Sequence, residues 1–375
     1  MLEISDDIIT PYHLLNIDQL NKNLYILSYL KSETKCKILF AIKGYSNEAI
    51  FPYIRENLDG ISTSSLFETN LAHKKFGKEI HTFSSAYKFN EINEIVEYSD
   101  YIIFNSLNQL KTFHHYINKD KCNIGIRINP EYSEIKHFNI NPCHEYSRFG
   151  ILAKNLEQIY NFEIKYLHMH TMCDQFSDTL ERTLNVISKN FNEYLNYAKW
   201  INIGGGQLFT NKNYNIEHAI KCIKNFKEKY KIDIYMEPCE SVMLNTGYLI
   251  TSVVDIINNG MNTAILDSSA VCHLPNILYS GQRYNIINGF LPNQQKYTYR
   301  LTGPTCYAGD IFGDYSFYEP LKIDDKIIFC DTAQYTMVKS NMFNGISFPT
   351  IVFYTQKYGF KIIKQYDYNI FKLIT

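Results

Sequence analysis

Apolar residues in the first two thirds of the chain follow two alternating patterns. Eight short runs are nearly continuously apolar and rich in Ile, Phe and Tyr, as expected of strands covered on both faces. They are Lys37–Lys43, Leu58–Ser62, Glu79–Phe83, Asp100–Asn105, Asn123–Ile128, Ile164–His170, Trp200–Ile203 and Ile232–Glu237. Segments with apolar residues at helical spacing separate these runs. Because parallel strands need crossover helices and close at eight, the alternation predicts a (β/α)8 barrel over residues 12–240.

The pattern changes after Glu237. The remaining apolar runs are shorter, several of them alternate with polar residues, and Gly, Pro and Asn lie between them. These runs are Leu249–Ile256, Tyr297–Leu301, Lys326–Cys330, Thr350–Tyr354 and Phe360–Ile363. This pattern predicts an antiparallel β domain, sandwich-like or barrel-like, over residues 241–375. A helix at Asp18–Tyr29 precedes the first barrel strand, so we expect residues 1–11 to join the C-terminal β domain.

Composition narrows the class of protein. The 375 residues carry a formal net charge of −1, which gives no basic surface for nucleic acid. The most apolar stretch, Tyr248–Leu266, is interrupted by polar residues and Gly260, so no membrane span is expected. The nine cysteines are odd in number and contain no CxxC pair, and the chain begins with an acidic segment rather than a signal peptide. These features predict reduced thiols and a cytoplasmic location.

The carboxyl ends of the predicted strands carry the candidate chemistry, because active sites of such barrels lie there. Lys43 follows the apolar run Ile38–Ile42, which would place its amine in the barrel mouth. A lysine there can form an imine with an aldehyde once burial lowers its pKa from about 10.4. The alternative is a strand-end lysine that points into solvent.

Two further strand ends support a cofactor site. Gly204, Gly205 and Gly206 follow the seventh strand and would leave backbone N–H groups open to a phosphate, although a tight turn is the alternative. Glu237 ends the eighth strand, where a carboxylate could keep a pyridine nitrogen protonated. Taken alone, Glu237 could equally fix the turn into the next domain.

The histidine and cysteine residues at the end of the sixth strand could instead form a metal site. His168, His170 and Cys173 are spaced HxHxxC, but no second cluster nearby completes a tetrahedral set, and His170 stacked on a planar cofactor explains its position equally well. We therefore predict no metal. Farther along, the turn containing Cys306 and Asp310 presents a thiol that could act as an acid.

Taken together, the motifs resemble the fold-type III pyridoxal-phosphate decarboxylases, which share the alanine-racemase barrel. Within that group the chain is most similar to the carboxynorspermidine/carboxyspermidine decarboxylases, over almost its whole length. The resemblance rests on Ala41-Ile42-Lys43, Ser64-Ser65-Leu66-Phe67-Glu68, His168-Met169-His170-Thr171, Gly204-Gly205-Gly206, Glu237-Pro238-Cys239-Glu240, the segment from Gly303 to Asp310, and Tyr335-Thr336-Met337-Val338-Lys339.

The resemblance implies roles for these residues. Lys43 would carry pyridoxal 5'-phosphate, His170 would stack on its ring, and Glu237 would pair with the ring nitrogen. The three glycines and Tyr335 would hold the phosphate. Cys306 would donate from the partner subunit of a homodimer, because active sites of this family lie at a dimer interface.

Departures from the family pattern bear on the substrate. Ornithine, arginine and diaminopimelate decarboxylases have Arg where this chain has Glu240, so the phosphate must be held differently here, and an acid suits a substrate with several ammonium groups. Tyr307 replaces the glutamate of diaminopimelate decarboxylases, and Asn276 stands where the carboxynorspermidine enzymes often have Asp.

These residues lead to the hypothesis of a decarboxylase acting on a carboxylated triamine, whose amine-bearing tail would contact Glu240, Asn276 and Asp310. Three alternatives remain: a diaminopimelate or ornithine-type decarboxylase, a racemase on the same scaffold, and a pyridoxal-phosphate-binding protein without turnover.

Overall fold

The computed structural model describes residues 3–375, which form two compact units. One unit comprises residues 22–242, and the other comprises residues 3–21 together with 243–375. No helix in the described part of the chain is long and apolar enough to cross a bilayer.

Seventeen strands lie within residues 3–375: β1 (Tyr12–Asn16), β2 (Lys37–Ala41), β3 (Gly60–Thr63), β4 (Glu79–Phe83), β5 (Tyr101–Phe104), β6 (Asn123–Asn129), β7 (Ile151–Leu152), β8 (Tyr166–His168), β9 (Trp200–Asn202), β10 (Asp233–Met236), β11 (Gly247–Asn258), β12 (Asn262–Leu266), β13 (Tyr297–Thr302), β14 (Ile311–Phe317), β15 (Lys326–Cys330), β16 (Thr350–Thr355) and β17 (Gly359–Lys364).

The α-helices in the same residues are α1 (Ile17–Thr34), α2 (Phe51–Asn57), α3 (Leu66–Lys75), α4 (Ile92–Tyr98), α5 (Leu107–Phe113), α6 (Ser177–Asn190), α7 (Asn192–Tyr197), α8 (Ile216–Tyr230), α9 (Cys239–Met243), α10 (Ala270–His273), α11 (Asn276–Ser280) and α12 (Tyr368–Ile374). Short 3-10 helices occupy Glu48–Ile50, His114–Tyr116, Phe138–Ile140, Ala153–Phe162, Met337–Lys339 and Phe343–Gly345.

The unit of residues 22–242 is a closed parallel barrel. Its strands run in the order β5-β4-β3-β2-β10-β9-β8-β6, and β6 pairs with β5 to close the ring. The two-residue strand β7 adds to the end of β6. Each of the eight barrel strands overlaps one of the predicted runs, so the predicted (β/α)8 barrel is confirmed. Burial on both faces explains the continuous apolar runs, as at Ile38, Leu39 and Phe40, which are fully buried.

Aromatic side chains fill the amino-terminal end of the barrel. Trp200 packs against Tyr235 with ring centroids 4.9 Å apart and against His81 with centroids 5.3 Å apart. Glu79 sits among these rings and accepts hydrogen bonds from the Tyr235 hydroxyl at 2.8 Å and the Lys37 ammonium at 2.8 Å. His81 Nε2 lies 2.7 Å from the same carboxylate. The amino-terminal end of the barrel is therefore packed with side chains, and the carboxyl end holds the cavity.

The other unit is a mostly antiparallel sheet in the order β14-β13-β12-β11-β1-β16-β17, with β15 also paired to β11. The predicted C-terminal antiparallel domain is confirmed as a fold class, although β1/β16 and β12/β13 pair in parallel. The sequence placed the boundary of the N-terminal segment at residue 12. In the structure β1 lies between β11 and β16 in the middle of this sheet, and the unit extends to residue 21.

The Glu79 cluster leads to a prediction about acid stability. Burial alone would raise the pKa of Glu79, but its hydrogen bonds with His81, Lys37 and Tyr235 outweigh burial and lower the pKa to about 2. Because the folded-state pKa lies below the ordinary value of 4.5, this stabilisation is complete above about pH 4.5 and is lost as the pH falls towards 2.

Glu79→Gln should lower the free energy of unfolding near neutral pH by about 2 kcal/mol, the typical scale for hydrogen bonds to a charged group. The variant should also lose stability less steeply than the wild type below pH 4.5. Urea titrations at several pH values measure both effects, with Glu97→Gln on an exposed position of α4 as the matched control. Parallel pH profiles for wild type and Glu79→Gln would contradict this account.

Candidate active site

A cavity of about 350 Å³ opens at the carboxyl end of the barrel. Lys43 and His170 line it, together with Arg127, Ser64, Cys173 and the rings of Phe83 and Phe149. Lys43 lies two residues beyond the end of β2, and His170 lies two residues beyond the end of β8. The barrel therefore brings the two predicted residues to one small chamber of a size typical for ligand sites.

Glu237 is a buried carboxylate within electrostatic range of Lys43 and His170, which line the cavity. It follows β10, is only 7% exposed, and accepts a 2.7 Å hydrogen bond from the side-chain amide of Asn202. His168 Nε2 lies 3.6 Å from the same oxygen. Burial raises the pKa of Glu237, but the nearby His168 imidazole and Lys43 ammonium outweigh burial and bring it well below its usual range. Glu237 therefore stays ionised at neutral pH.

The three glycines lie where neighbouring loops approach each other closely. A Cβ added to Gly204 would stand 2.5 Å from the Met169 carbonyl oxygen, and one on Gly206 only 2.0 Å from the Met172 carbonyl oxygen. Gly204 and Gly206 also have positive φ, at 72° and 88°. Close packing thus requires glycine here, whatever the segment binds.

Two of the three backbone N–H groups in this glycine segment are bonded within the chain. The sequence had predicted three N–H groups open to an anion. The N–H of Gly204 donates to Asn202 Oδ1 at 2.9 Å, and that of Gly205 donates to His170 Nδ1 at 3.2 Å. Among residues 3–375, nothing accepts from the N–H of Gly206. One backbone donor is therefore left for an anion, and the other two hold Asn202 and His170 in place.

His170 is oriented from two sides. Its Nδ1 accepts from Gly205, which leaves the ring proton on Nε2, and its carbonyl accepts a 3.2 Å hydrogen bond from Arg127. Burial, together with the charges of Lys43 and Arg127, lowers the pKa of His170 well below its usual value. The ring is therefore a neutral, planar surface facing the cavity.

Arg127 is a functional residue that the sequence interpretation missed. It is 4% exposed, and its guanidinium lies 4.6 Å from the centre of the Phe83 ring and 4.4 Å from that of Phe149. Burial lowers its pKa to about 10, so it stays charged at neutral pH. An arginine between Ile126 and Ile128 in an apolar strand was the available signal, because a buried charge needs a reason.

Glu68 was quoted in a motif but given no role. Its carboxylate accepts a 2.6 Å hydrogen bond from the Ser64 N–H, and its own N–H donates to Ser65 Oγ at 3.3 Å, so Ser65 caps the start of α3. Burial raises the pKa of Glu68, and the charge of Lys43 opposes that rise. The carboxylate therefore lies within electrostatic range of the Lys43 amine.

Glu240 lies in the first turn of α9, beside the barrel mouth. Its Oε1 is 3.9 Å from Cys173 Sγ, and donor atoms of Cys173, Asp174 and Glu240 lie within 4.8 Å of one another. This group places negative charge at the mouth, as expected for a site that receives cations. His168 and His170 do not join it, so the HxHxxC spacing does not bring its members to one point in the described residues.

The other predicted site residues belong to the sheet unit. Cys306 is exposed, and its N–H donates to Asn344 Oδ1 at 2.8 Å. Asp310 is only 2% exposed, and its carboxylate accepts from Thr305 Oγ1 at 2.7 Å and Ser269 Oγ at 3.0 Å. In these contacts Asp310 shapes the turn that presents Cys306, and its carboxylate is already engaged within the chain.

In the sheet unit, Lys339 contacts both Asn276 and Tyr335. The Lys339 ammonium donates to Asn276 Oδ1 at 2.8 Å and lies 5.3 Å from the centre of the Tyr335 ring. Tyr335 is half-buried and has a positive φ of 56°, which is uncommon for a non-glycine residue. The lysine occupies one oxygen of Asn276 and adds positive charge beside Tyr335.

Comparisons with known proteins agree with this geometry. The family described as "Pyridoxal-dependent decarboxylase, C-terminal sheet domain" matches residues 25–333. The carboxynorspermidine/carboxyspermidine decarboxylase of Campylobacter jejuni is 38% identical over 97% of this chain and 98% of its own length. The chain belongs to the pyridoxal-dependent decarboxylases. It is accordingly a carboxy-lyase.

One further relative and one solved structure are also similar to this chain. The carboxyaminopropylagmatine decarboxylase of Synechocystis is 34% identical over 97% of this chain and 94% of its own length. A crystal structure of the Campylobacter jejuni carboxynorspermidine decarboxylase complexed with norspermidine superposes with a TM-score of 0.92 at 37% identity, over 98% of this chain and all of that one.

The residues of the barrel mouth fit the family's cofactor. Lys43 offers an amine, the Gly206 N–H offers an unused donor for phosphate, and Glu237 offers an ionised carboxylate for a ring nitrogen. His168 adds a buried ring whose nitrogens have no hydrogen-bond partner in the described residues, although Nε2 faces Glu237.

Asn202→Ala tests whether the Glu237 carboxylate must be held in place. Asn202 is fully buried and bonds both Glu237 and the Gly204 amide, so its loss should free the carboxylate and the glycine segment. We expect kcat for decarboxylation to fall about 10- to 100-fold, the scale of a hydrogen bond to a charged group. Asn196→Ala, on an exposed position of α7, should leave kcat unchanged.

Thermal melts of both variants separate a catalytic effect from unfolding. An Asn202→Ala protein that is folded and has wild-type kcat would show that Glu237 needs no support from this amide.

Proposed function

We propose that this chain uses pyridoxal 5'-phosphate held on Lys43 to decarboxylate carboxynorspermidine, carboxyspermidine or both, yielding norspermidine or spermidine in polyamine biosynthesis. The observation that carries this proposal is that Lys43, ionised Glu237 and the unused Gly206 amide all follow carboxyl ends of barrel strands, with Glu237 within electrostatic range of Lys43. The similarity to the Campylobacter jejuni enzyme supports the choice of substrate.

The cofactor, when bound, supplies an electron-withdrawing ring that accepts the electron pair left behind by CO2. Lys43 holds it in the mouth and supplies an amine that can carry a proton. Glu237 stays ionised and can keep a proton on a ring nitrogen, because its charge makes that proton favourable. Neutral His170 offers a flat face to the ring and adds no positive charge there.

Arg127 and Glu68 support His170 and Lys43, respectively. Arg127 fixes the His170 backbone and keeps its charge beside the cavity wall. Glu68 balances the ammonium of Lys43. Cys306 is the candidate acid that returns a proton to the substrate carbon, since its thiol is exposed on a turn held by Asp310.

The acidic residues at the barrel mouth support a substrate with a polyamine tail. Glu240, beside Cys173 and Asp174, gives the mouth acidic character suited to secondary and primary ammonium groups. Asn276 supplies a further amide near Lys339, and we keep it as a candidate tail contact. Asp310 contributes by holding its turn, since its carboxylate accepts hydrogen bonds from Thr305 and Ser269.

A second candidate substrate is carboxyaminopropylagmatine, because the Synechocystis enzyme that carries this name is 34% identical to the chain. Its terminal guanidinium would also pair with a carboxylate such as Glu240. Diaminopimelate is less favoured, since the named diaminopimelate decarboxylases are at most 25% identical.

Lys43→Ala tests the cofactor assignment. The purified wild-type protein should be yellow when loaded with pyridoxal phosphate, and Lys43→Ala should lose that absorbance and release no measurable CO2. Lys74→Ala, an exposed position on α3, should match the wild type in both respects. Wild-type absorbance and activity in Lys43→Ala would end the proposal.

A substrate panel then tests specificity. We expect kcat/KM for carboxynorspermidine or carboxyspermidine to exceed that for carboxyaminopropylagmatine, ornithine and diaminopimelate by about tenfold or more, equivalent to 1.4 kcal/mol of transition-state binding. Preference for carboxyaminopropylagmatine would select the second candidate. Turnover of ornithine alone, or racemisation without CO2 release, would replace both.

We further propose a homodimer in which each active site takes Lys43 from one subunit and Cys306 from its partner, in a cytoplasmic enzyme. The exposure of Cys306 and of the adjacent Tyr307, which is 51% exposed, supports an interface at this turn. All nine cysteines are free thiols, which suits a reducing compartment.

Subunit mixing tests this arrangement. Lys43→Ala and Cys306→Ser proteins should each be nearly inactive, and co-refolding them should restore part of the activity, because hybrid dimers contain one intact site. Lys43→Ala co-refolded with Glu237→Gln is the matched control and should restore none, since both changes lie in the barrel. Equal failure of both mixtures would place Lys43 and Cys306 of a site on one chain.

A further inference from the structure

Three residues with metal-binding side chains meet on the outer surface of the barrel, between α6 and α8. Glu181 lies on α6, and His218 and Cys222 lie on α8. Positions four apart on a helix share one face, so His218 and Cys222 point to the same side. None of the three lines the cavity that contains Lys43.

Two of the three distances between their donor atoms match the edges of a tetrahedral metal site. His218 Nε2 is 3.3 Å from Glu181 Oε2 and 3.5 Å from Cys222 Sγ. With ordinary zinc bond lengths, a tetrahedron has an N···O edge of about 3.3 Å and an N···S edge of about 3.5 Å. The three donor atoms lie within 4.8 Å of one another, so a cation could bind without a large movement of either helix.

The surroundings of His218 fit a metal ligand as well. Its second ring nitrogen, Nδ1, lies 3.1 Å from Ser177 Oγ at the start of α6. Ligating histidines usually engage a polar partner through the nitrogen that does not bind the metal, and this contact fixes the ring. Burial of Cys222 is intermediate, and the Glu181 side chain is 54% exposed, which leaves a side open for water as fourth ligand.

Charge and ligand type favour a zinc-like ion over a hard cation. A thiolate and a carboxylate together balance the charge of a dication, and sulfur with imidazole selects zinc rather than calcium or magnesium. Glu181 and Cys222 lie beyond the first turns of α6 and α8, where the positive field of the helix amino terminus has largely decayed, so it opposes a cation little.

We propose that Glu181, His218 and Cys222 bind one Zn²⁺ ion per chain, with water completing the tetrahedron. On binding, the Cys222 thiol gives its proton to solvent and its sulfur donates an electron pair to the metal. The ion would join the first two turns of α6 and α8, the helices that follow the loops of His170 and the three glycines. This site is independent of the decarboxylation chemistry, and its main effect is to stabilise that side of the barrel.

Cobalt titration of the purified, metal-free holoenzyme tests the proposal. We expect one Co²⁺ per chain, with the visible bands of tetrahedral cobalt and a thiolate-to-metal band, both abolished by one equivalent of Zn²⁺. Cys222→Ser should remove the thiolate band, and both Cys222→Ser and His218→Gln should weaken zinc binding by about tenfold or more. Zinc should raise the melting temperature of the wild type but not of these variants.

Cys330→Ser is the matched control, because Cys330 is another half-buried thiol outside the cluster. It should bind cobalt as the wild type does. Melts without metal establish that each variant is folded. Absence of tetrahedral cobalt bands in the wild type would overturn the proposal. So would an unchanged spectrum in folded Cys222→Ser, or an equal loss in Cys330→Ser, since the metal would then bind elsewhere.

Discussion

The arrangement of side chains at the barrel mouth depends on how the buried charge of the Glu237 carboxylate is balanced. An ionised group that is 7% exposed is stable only if nearby groups balance it. Asn202, His168 and the Lys43 ammonium provide that balance, and Asn202 also binds the Gly204 amide. The ends of β8, β9 and β10 are thereby linked through one charged atom. The requirement to keep this charge satisfied aligns the groups that face the cavity.

Fold and site were predictable from the sequence to different degrees. The eight barrel strands were visible because each is buried on both faces and reads as an apolar run. Strands β1, β7, β12 and β14 had no predicted run of their own; Asn262–Leu266 begins with two polar residues, and Ile311–Phe317 contains Gly313 and Asp314, which weaken the strand pattern. The positions of Lys43, His170 and Glu237 at the carboxyl end of the barrel were predictable, because position along a parallel strand fixes which end a residue reaches, whereas their roles stay predictions.

Residues that act through others could not be predicted in this way. Asn202 and Arg127 lie within strands, where an isolated polar residue gives no indication of its partner. The roles of the glycines also needed coordinates, because only the backbone geometry shows that two of their amides are already used. Asp310 was expected at the substrate, yet its burial and its bonds to Thr305 and Ser269 engage it in its own turn. The bond from Ser269 spans 41 residues of sequence, so no local motif could have indicated it.

The tight contacts at the three glycines bear on how relatives of this enzyme can diverge. With carbonyl oxygens 2.0–2.5 Å from where each Cβ would stand, no residue with a side chain fits at these three positions unless the backbone shifts. Variation in substrate choice must then arise elsewhere on the chamber wall. The segment that contributes Ile135, Ile140 and Pro142 to the cavity wall contains no glycine between residues 133 and 142. We therefore expect relatives with other substrates to differ in the length and side-chain volume of this segment, and to keep the three glycines.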